Sequence, residues 1–112
     1  MCRVKVDFDS ALQGGGNAKR NAIEPGMVMP IHRHKASSET VLCVRGHFQE
    51  NLYDEDGNLV ETIDMVPGGA IVNVPAGQWH NLVSKESGTV LLEAKNGKYE
   101  PLTPDELFNG QA

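Results

Sequence analysis

The feature that most constrains this chain is a pair of histidines two residues apart, followed by a glutamate. His32 and His34 lie in the stretch GMVMPIHRHKASSETVLCVRG, and Glu39 begins the apolar run that follows them. Residues two apart on a β-strand project from the same face, so both imidazoles would point the same way. A second stretch, GAIVNVPAGQWHNLVS, supplies His80. Three imidazoles and a carboxylate presented from strands predict a site for a divalent metal ion.

The two stretches resemble the two motifs of the cupin superfamily. The first follows the pattern G-x5-H-x-H-x4-E-x6-G from Gly26 to Gly46. The second follows G-x5-P-x-G-x2-H-x3-N, except that Ser84 stands where the motif usually has Asn. That Asn is not a metal ligand in the family, so the departure leaves the ligand set intact. The resemblance implies that one divalent ion is held by His32, His34, Glu39 and His80.

The chain also resembles a narrower group, the WbuC-type cupin-fold metalloproteins, over roughly residues 20 to 100. The resemblance rests on four segments, NAIEPG, HRHK, DEDGNLVE and PAGQWH. It implies an association with bacterial polysaccharide gene clusters, but no defined reaction comes with it.

The charge balance and the apolar runs narrow the choice of partners. The formal net charge is −5, with acidic and basic residues interspersed, which argues against a nucleic-acid-binding surface or a basic membrane patch. No apolar run approaches the length of a membrane span, and the first ten residues lack the apolar core of a signal peptide. We therefore predict a cytoplasmic protein that contacts neither nucleic acid nor membrane and binds a small molecule.

Short strands separated by glycine and proline turns account for most of the chain. Residues 2–8 alternate with a period of two, and residues 9–18 form a glycine-rich loop. A capping pattern at Thr103 predicts one helical turn through Phe108. The remaining predicted strands cover residues 21–24, 27–32 (interrupted or at an edge because of Pro30), 40–44, 48–53, 59–65, 70–74, 79–83 and 89–95.

This pattern predicts an antiparallel β-sandwich or β-barrel, and the resemblance selects the cupin jelly roll. We predict a single cupin domain over residues 1–112, with a barrel core of about eight or more strands. Residues 1–18 form the N-terminal strand and loop, 19–100 the core, and 101–112 the tail with its helical turn. We also predict a homodimer, because the alternating N-terminal strand offers an edge on which a second copy can pair.

The ligand set predicts the chemistry only in outline. Its donors suit Fe, Mn, Ni or Zn and do not choose among them, and an octahedral ion would keep two open positions. Such a site favours a metal-dependent isomerase, lyase or dioxygenase acting on a small, oxygen-rich, sugar-like substrate. The alternative is a non-catalytic sugar-binding module that holds its ligand through the same metal. The acid–base candidate is Glu93, whose strand is partly apolar on both faces, so its orientation stays open.

Three residues near the predicted ligands receive simpler interpretations. Trp79 has the opposite strand parity to His80 and is predicted to pack outside the cavity, in an outer contact or at a dimer interface. Arg33 lies between the two motif histidines and should also point outward. Cys43 is either a small apolar side chain of the core or a thiol near the metal.

Overall fold

The computed structural model describes residues 17–27, 29–97 and 101–110. The predicted N-terminal strand at residues 2–8 therefore lies outside the described residues. Within the described part of the chain there is no helix long and apolar enough to cross a membrane.

The described residues form an all-β fold, as the sequence predicted, and the single helical turn predicted through Phe108 is instead two short 3₁₀ turns. The 3₁₀ turns cover Pro104–Glu106 and Phe108–Gly110. The strands are β1 (Asn17–Ile23), β2 (Glu39–Arg45), β3 (Phe48–Tyr53), β4 (Leu59–Met65), β5 (Ile71–Val74), β6 (Trp79–Ser84) and β7 (Thr89–Lys95).

The seven strands form two antiparallel sheets that face each other as a jelly roll. One sheet has the order β1-β7-β2-β5 and the other the order β4-β3-β6. The apolar core lies between the sheets and takes side chains from both, because each strand turns one face inward. Its buried members are Ile23, Val41, Cys43, Phe48, Met65, Leu82 and Leu91.

Along several strands the inward-facing side chains change from apolar to polar. On β3, Phe48 is in the apolar core, whereas Glu50, two residues later, lines a cavity. On β6, Leu82 contacts both the apolar core and the cavity, and His80 lines the cavity. Since residues two apart share a face, one end of the barrel interior is apolar and the other end is polar. The polar end contains Glu39, Glu50, His80, Glu93 and Lys95.

Two predicted elements differ from the structure. The first is the short strand predicted at 21–24, which instead begins at Asn17 because β1 pairs with β7 along its whole length. The second is the strand predicted at 27–32. Its described residues form no strand, and His32 makes only isolated bridges to His80 and Leu107. Pro30 cannot donate a ladder hydrogen bond, which explains why the stretch leaves the sheet.

The C-terminal turn forms the capping contact that its sequence predicted. The Glu106 carboxylate accepts a hydrogen bond from the Thr103 backbone N–H at 3.1 Å. The same carboxylate accepts the Lys35 N–H at 2.9 Å, and the Phe108 N–H donates to the Ile31 carbonyl at 2.9 Å. The C-terminal turn therefore fixes the segment that carries His32 and His34, because the described residues of that segment form no strand.

The two glycines of the first motif should differ in their tolerance of a side chain. Both have a positive φ, +89° at Gly26 and +86° at Gly46, so alanine at either costs about 1–2 kcal/mol of backbone strain. A Cβ at Gly46 would lie 2.8 Å from the Thr89 Cα, whereas no described atom lies within 4 Å of one at Gly26. We expect Gly46→Ala to lower the free energy of unfolding by about 1–3 kcal/mol more than Gly26→Ala.

Chemical denaturation of the two variants measures this difference directly. Equal losses of stability would show that the close approach of the Gly46 and Thr89 backbones does not constrain the turn.

Candidate metal centre

His32 and His80 are held together by their own backbones. The His32 N–H donates to the His80 carbonyl at 3.0 Å, and the His80 N–H donates to the His32 carbonyl at 2.8 Å. This reciprocal pairing places the two ring centroids 4.3 Å apart. The histidine segment therefore lies against β6 although it is not itself a strand.

The ring nitrogens of both histidines are oriented by local carbonyl groups. His32 Nδ1 lies 2.9 Å from the Pro30 carbonyl oxygen, and His80 Nδ1 lies 3.0 Å from the Gln78 carbonyl oxygen. A carbonyl can only accept, so Nδ1–H is the donor in each pair. In the neutral ring the lone pair is then on Nε2, which is the tautomer that metal ligation through Nε2 requires.

His34 completes a cluster of three imidazoles. Its ring centroid lies 5.3 Å from that of His32 and 5.7 Å from that of His80. One nitrogen from each ring lies within 4.8 Å of the other two. The His34 carbonyl accepts the Gly77 N–H at 2.9 Å, which fixes this end of the segment to the turn before β6. These three buried or half-buried histidines form a group that can bind a metal ion.

Glu39 faces this cluster from the first residue of β2. The residue is 5% exposed, and its carboxylate oxygens lie 3.5 Å from His34 Nε2 and 3.6 Å from His80 Nε2. The second distance is short enough for an ion pair but too long for a hydrogen bond. His80 Nε2 is consequently a buried nitrogen without a hydrogen-bond partner among the described residues. The structure thus brings together all four residues that the motifs predicted.

Burial and mutual charge shift the pKa values of the cluster in different directions. Burial, reinforced by His80, lowers the pKa of His32 to about 4, and burial also lowers the pKa of His34. Burial alone would raise the pKa of Glu39, but His80, His34 and Lys95 together lower it. Glu39 is therefore ionised and His32 neutral at neutral pH, which are the forms that bind a divalent ion.

The four residues lie at the wall of a cavity of about 240 Å³. Glu93, whose orientation the sequence left open, faces inward and lines this cavity from β7. A small molecule next to the imidazoles would therefore meet carboxylate groups as well.

Glu50 is the cavity residue that sequence reasoning missed. It lies on β3, is 1% exposed, and its Oε2 has no hydrogen-bond partner among the described residues. Burial is the main cause that raises its pKa to about 8, and the negative charges of Glu39 and Glu93 add to the effect. A signal was present in the sequence, because Phe48, Glu50 and Leu52 share one face of a strand whose other face is polar.

Trp79 and Arg33 lie outside the cavity, as their positions beside the motif histidines predicted. Trp79 packs outside the cavity, with the Arg33 guanidinium 4.4 Å above its ring and the Phe108 ring 5.3 Å away edge-on. Cys43 belongs to the apolar core, and its thiol lies 3.3 Å from the Arg45 carbonyl oxygen. The structure therefore favours the interpretation of Cys43 as a core side chain.

The donor set fits a divalent metal ion. Imidazole nitrogens that have given up their protons and an ionised carboxylate are ligands for first-row transition metals. His80 Nε2 supports this fit, because among the described residues it has no hydrogen-bond partner and only the Glu39 carboxylate lies near it, at 3.6 Å.

The fold and this cluster define the chain as a cupin-type jelly-roll protein. The family model described as Domain of unknown function (DUF6016) matches residues 3–65, and the chain belongs to that family. No curated protein matches the chain significantly.

Solved structures share the fold at low sequence identity. The capsular polysaccharide assembling protein CapF from Staphylococcus aureus is similar with a TM-score of 0.71 and 22% identity over 83% of this chain. The QdtA 3,4-ketoisomerase from Thermoanaerobacterium thermosaccharolyticum, in complex with TDP, has a TM-score of 0.66 and 16% identity over 75% of this chain. Peruvianin-I, a cysteine peptidase from Thevetia peruviana latex, has a TM-score of 0.64 and 22% identity over 78% of this chain.

These similarities concern the fold and not a shared activity. The matched region covers 26% of CapF, 60% of QdtA and 53% of peruvianin-I. Since an isomerase and a peptidase are both among them, the activity has to be argued from the site.

Proposed function

We propose that this protein is a metal-dependent cupin enzyme that acts on a small, oxygen-rich, sugar-like substrate. The observation that carries the proposal is the convergence of three imidazoles and the buried Glu39 carboxylate at one cavity, where His80 Nε2 has no hydrogen-bond partner among the described residues. His32, His34, Glu39 and His80 would hold one divalent ion. When bound, the ion would polarise an oxygen atom of the substrate as a Lewis acid.

The sugar-like substrate is supported by the resemblances of the chain. The WbuC-type resemblance points to polysaccharide gene clusters, and the names of CapF and QdtA refer to capsular polysaccharide and to a ketoisomerase. A cavity of about 240 Å³ is large enough for a single sugar ring or a sugar acid.

Glu50 would transfer protons to and from the bound substrate. A general acid or base acts best when its pKa is close to the working pH, and burial raises the pKa of Glu50 to about 8. Glu50 is paired with Leu82, and His80 lies two residues from Leu82, so Glu50 and His80 share a face of the sheet. Glu93 is a second carboxyl group within the same cavity.

The proposal is tested first by metal content and then by turnover. We expect protein purified without chelators or a metal-affinity column to contain close to one divalent ion per chain by elemental analysis. The metal-loaded protein is then incubated with free sugars, sugar acids and nucleotide sugars, with and without O₂. Turnover should be lost in His32→Ala and reduced on the order of a hundredfold in Glu50→Gln, but retained in the exposed control Glu61→Gln.

Each outcome of this experiment is informative. Binding by calorimetry without any turnover would favour the alternative, a non-catalytic binding module. Turnover that persists in metal-free His32→Ala would exclude the metal-dependent mechanism.

We also propose that the protein is a homodimer. Within the described residues β4 is an edge strand, and it exposes Leu59 and Val60 to 57% and 66%. Such an edge is stabilised when another strand covers it. Sedimentation at micromolar concentration should show a species of twice the 12.2 kDa chain mass, and a species near the single-chain mass alone would contradict the proposal.

A further inference from the structure

A lysine lies beside the predicted metal ligands. Lys95 is the last residue of β7 and lies directly opposite Glu39 on β2. Its ammonium nitrogen is 3.7 Å from Glu39 Oε2 and 3.5 Å from His34 Nδ1, and its side chain is 10% exposed. Residues directly opposite on antiparallel strands share a face, so this contact follows from the strand register.

The ammonium and a metal ion would compete for the same groups. An ammonium can only donate hydrogen bonds, so the Lys95–His34 contact favours the tautomer in which Nδ1 accepts and Nε2 carries the proton. His34 Nε2 then faces Glu39 at 3.5 Å. Metal ligation by His34 and Glu39 needs the opposite arrangement, with the Nε2 lone pair and the carboxylate both available to the ion.

Lys95 also has space on two sides. It lines the main cavity, together with Glu50 and Glu93, and a second cavity of about 130 Å³ beyond His34. An ammonium that loses its contact with Glu39 can therefore remain close to the site. In the main cavity it would supply a positive charge and hydrogen-bond donors, which an acidic group on a ligand can accept.

We propose that Lys95 is the counter-cation of the metal-free site and binds an acidic group of the ligand once a metal ion has taken Glu39. This inference rests on the proposed function and narrows the substrate class to a small metal-chelating compound that carries a carboxylate or phosphate group. The metal ion and the ligand then bind in a defined order, because the metal ion takes the carboxylate that Lys95 contacts in the metal-free site.

The first arm of the test measures affinity for Zn²⁺ alone, by competition with a chromophoric chelator. In Lys95→Met the ion no longer competes with an ammonium, so we expect binding at least about tenfold tighter than in the wild type. Lys95→Arg keeps the charge and should resemble the wild type. Lys85→Met, at an exposed position after β6, is the matched control and should also resemble the wild type.

The second arm measures binding of oxalate to the Zn²⁺-loaded proteins by calorimetry. Loss of the ammonium should weaken oxalate binding at least about tenfold in Lys95→Met, whereas Lys95→Arg should retain it. Structural damage in Lys95→Met would weaken the binding of both Zn²⁺ and oxalate. The inference instead requires tighter Zn²⁺ binding and weaker oxalate binding.

The outcomes separate this inference from the proposed function. A wild-type protein that binds no Zn²⁺ would contradict the proposed function itself. A wild-type protein that binds Zn²⁺ while Lys95→Met binds it no more tightly, or binds oxalate equally well, would overturn the role of Lys95 alone.

Discussion

Replacing His80 by alanine is expected to remove the metal ion while leaving the fold intact. His80 is 3% exposed, and its Nε2 is the buried nitrogen that has no hydrogen-bond partner among the described residues. The backbone of the residue pairs with His32 and Leu52, and alanine can keep those contacts. Since loss of a residue that merely orients a ligand costs 10- to 100-fold in affinity, loss of a ligand should cost on the order of 100-fold or more.

The measurement is metal stoichiometry by elemental analysis, with circular dichroism to verify the fold. His47→Ala is the matched control, because His47 lies outside the cavity and contacts Asp64 at 2.8 Å. The control should retain wild-type metal content. Near-normal stoichiometry in the His80→Ala protein would defeat the assignment of His80 as a ligand.

In the metal-free protein, Glu50 should contribute a loss of stability as the pH rises. Burial raises the pKa of this carboxyl from its ordinary value of 4.5 to about 8 in the folded protein. Between these two values the unfolded chain releases the Glu50 proton and the folded chain keeps it. The folded state then binds more protons than the unfolded state, so the free energy of unfolding falls with increasing pH.

The size of the effect follows from the gap between the two pKa values. A gap from 4.5 to about 8 corresponds to a loss of at most about 5 kcal/mol, which is complete above the folded-state pKa. Glutamine has nearly the same shape and does not titrate in this range. We therefore expect Glu50→Gln to gain stability relative to the wild type between pH 5 and pH 8.5.

Denaturant unfolding of both metal-free proteins at these two pH values measures the difference. Glu61→Gln, at an exposed position on β4, should follow the wild type at both. If the difference in the free energy of unfolding between the wild type and Glu50→Gln does not change with pH, Glu50 ionises normally in the folded protein.

Much of the architecture could be predicted because its determinants are local. The bounds predicted for β3, β4 and β7 agree with the structure, since turn residues and alternating side chains mark both ends of each. The structure also brings His32, His34, Glu39 and His80 together as the motif spacing predicted. Their role as ligands stays a prediction until metal content has been measured.

Other features depended on contacts between residues distant in sequence. The sequence predicted an interrupted or edge strand before His32, whereas the structure holds this segment by hydrogen bonds to His80 and to the C-terminal turn. Pro30 disfavours a strand, but it does not indicate which other part of the chain replaces the missing sheet contacts.

The sequence by itself determined an antiparallel all-β fold, because period-two alternation and turn residues act within a single strand or turn, while the resemblance to the cupin motifs implied the jelly roll and the group of three histidines and one glutamate. Only the tertiary structure decided that Glu50 and Glu93 face the same cavity and that Lys95 lies against Glu39. These neighbours are set by the register between strands, such as the pairing of Glu39 with Lys95. The register between strands pairs residues that are far apart in the chain, so the residue pattern within one strand cannot predict it.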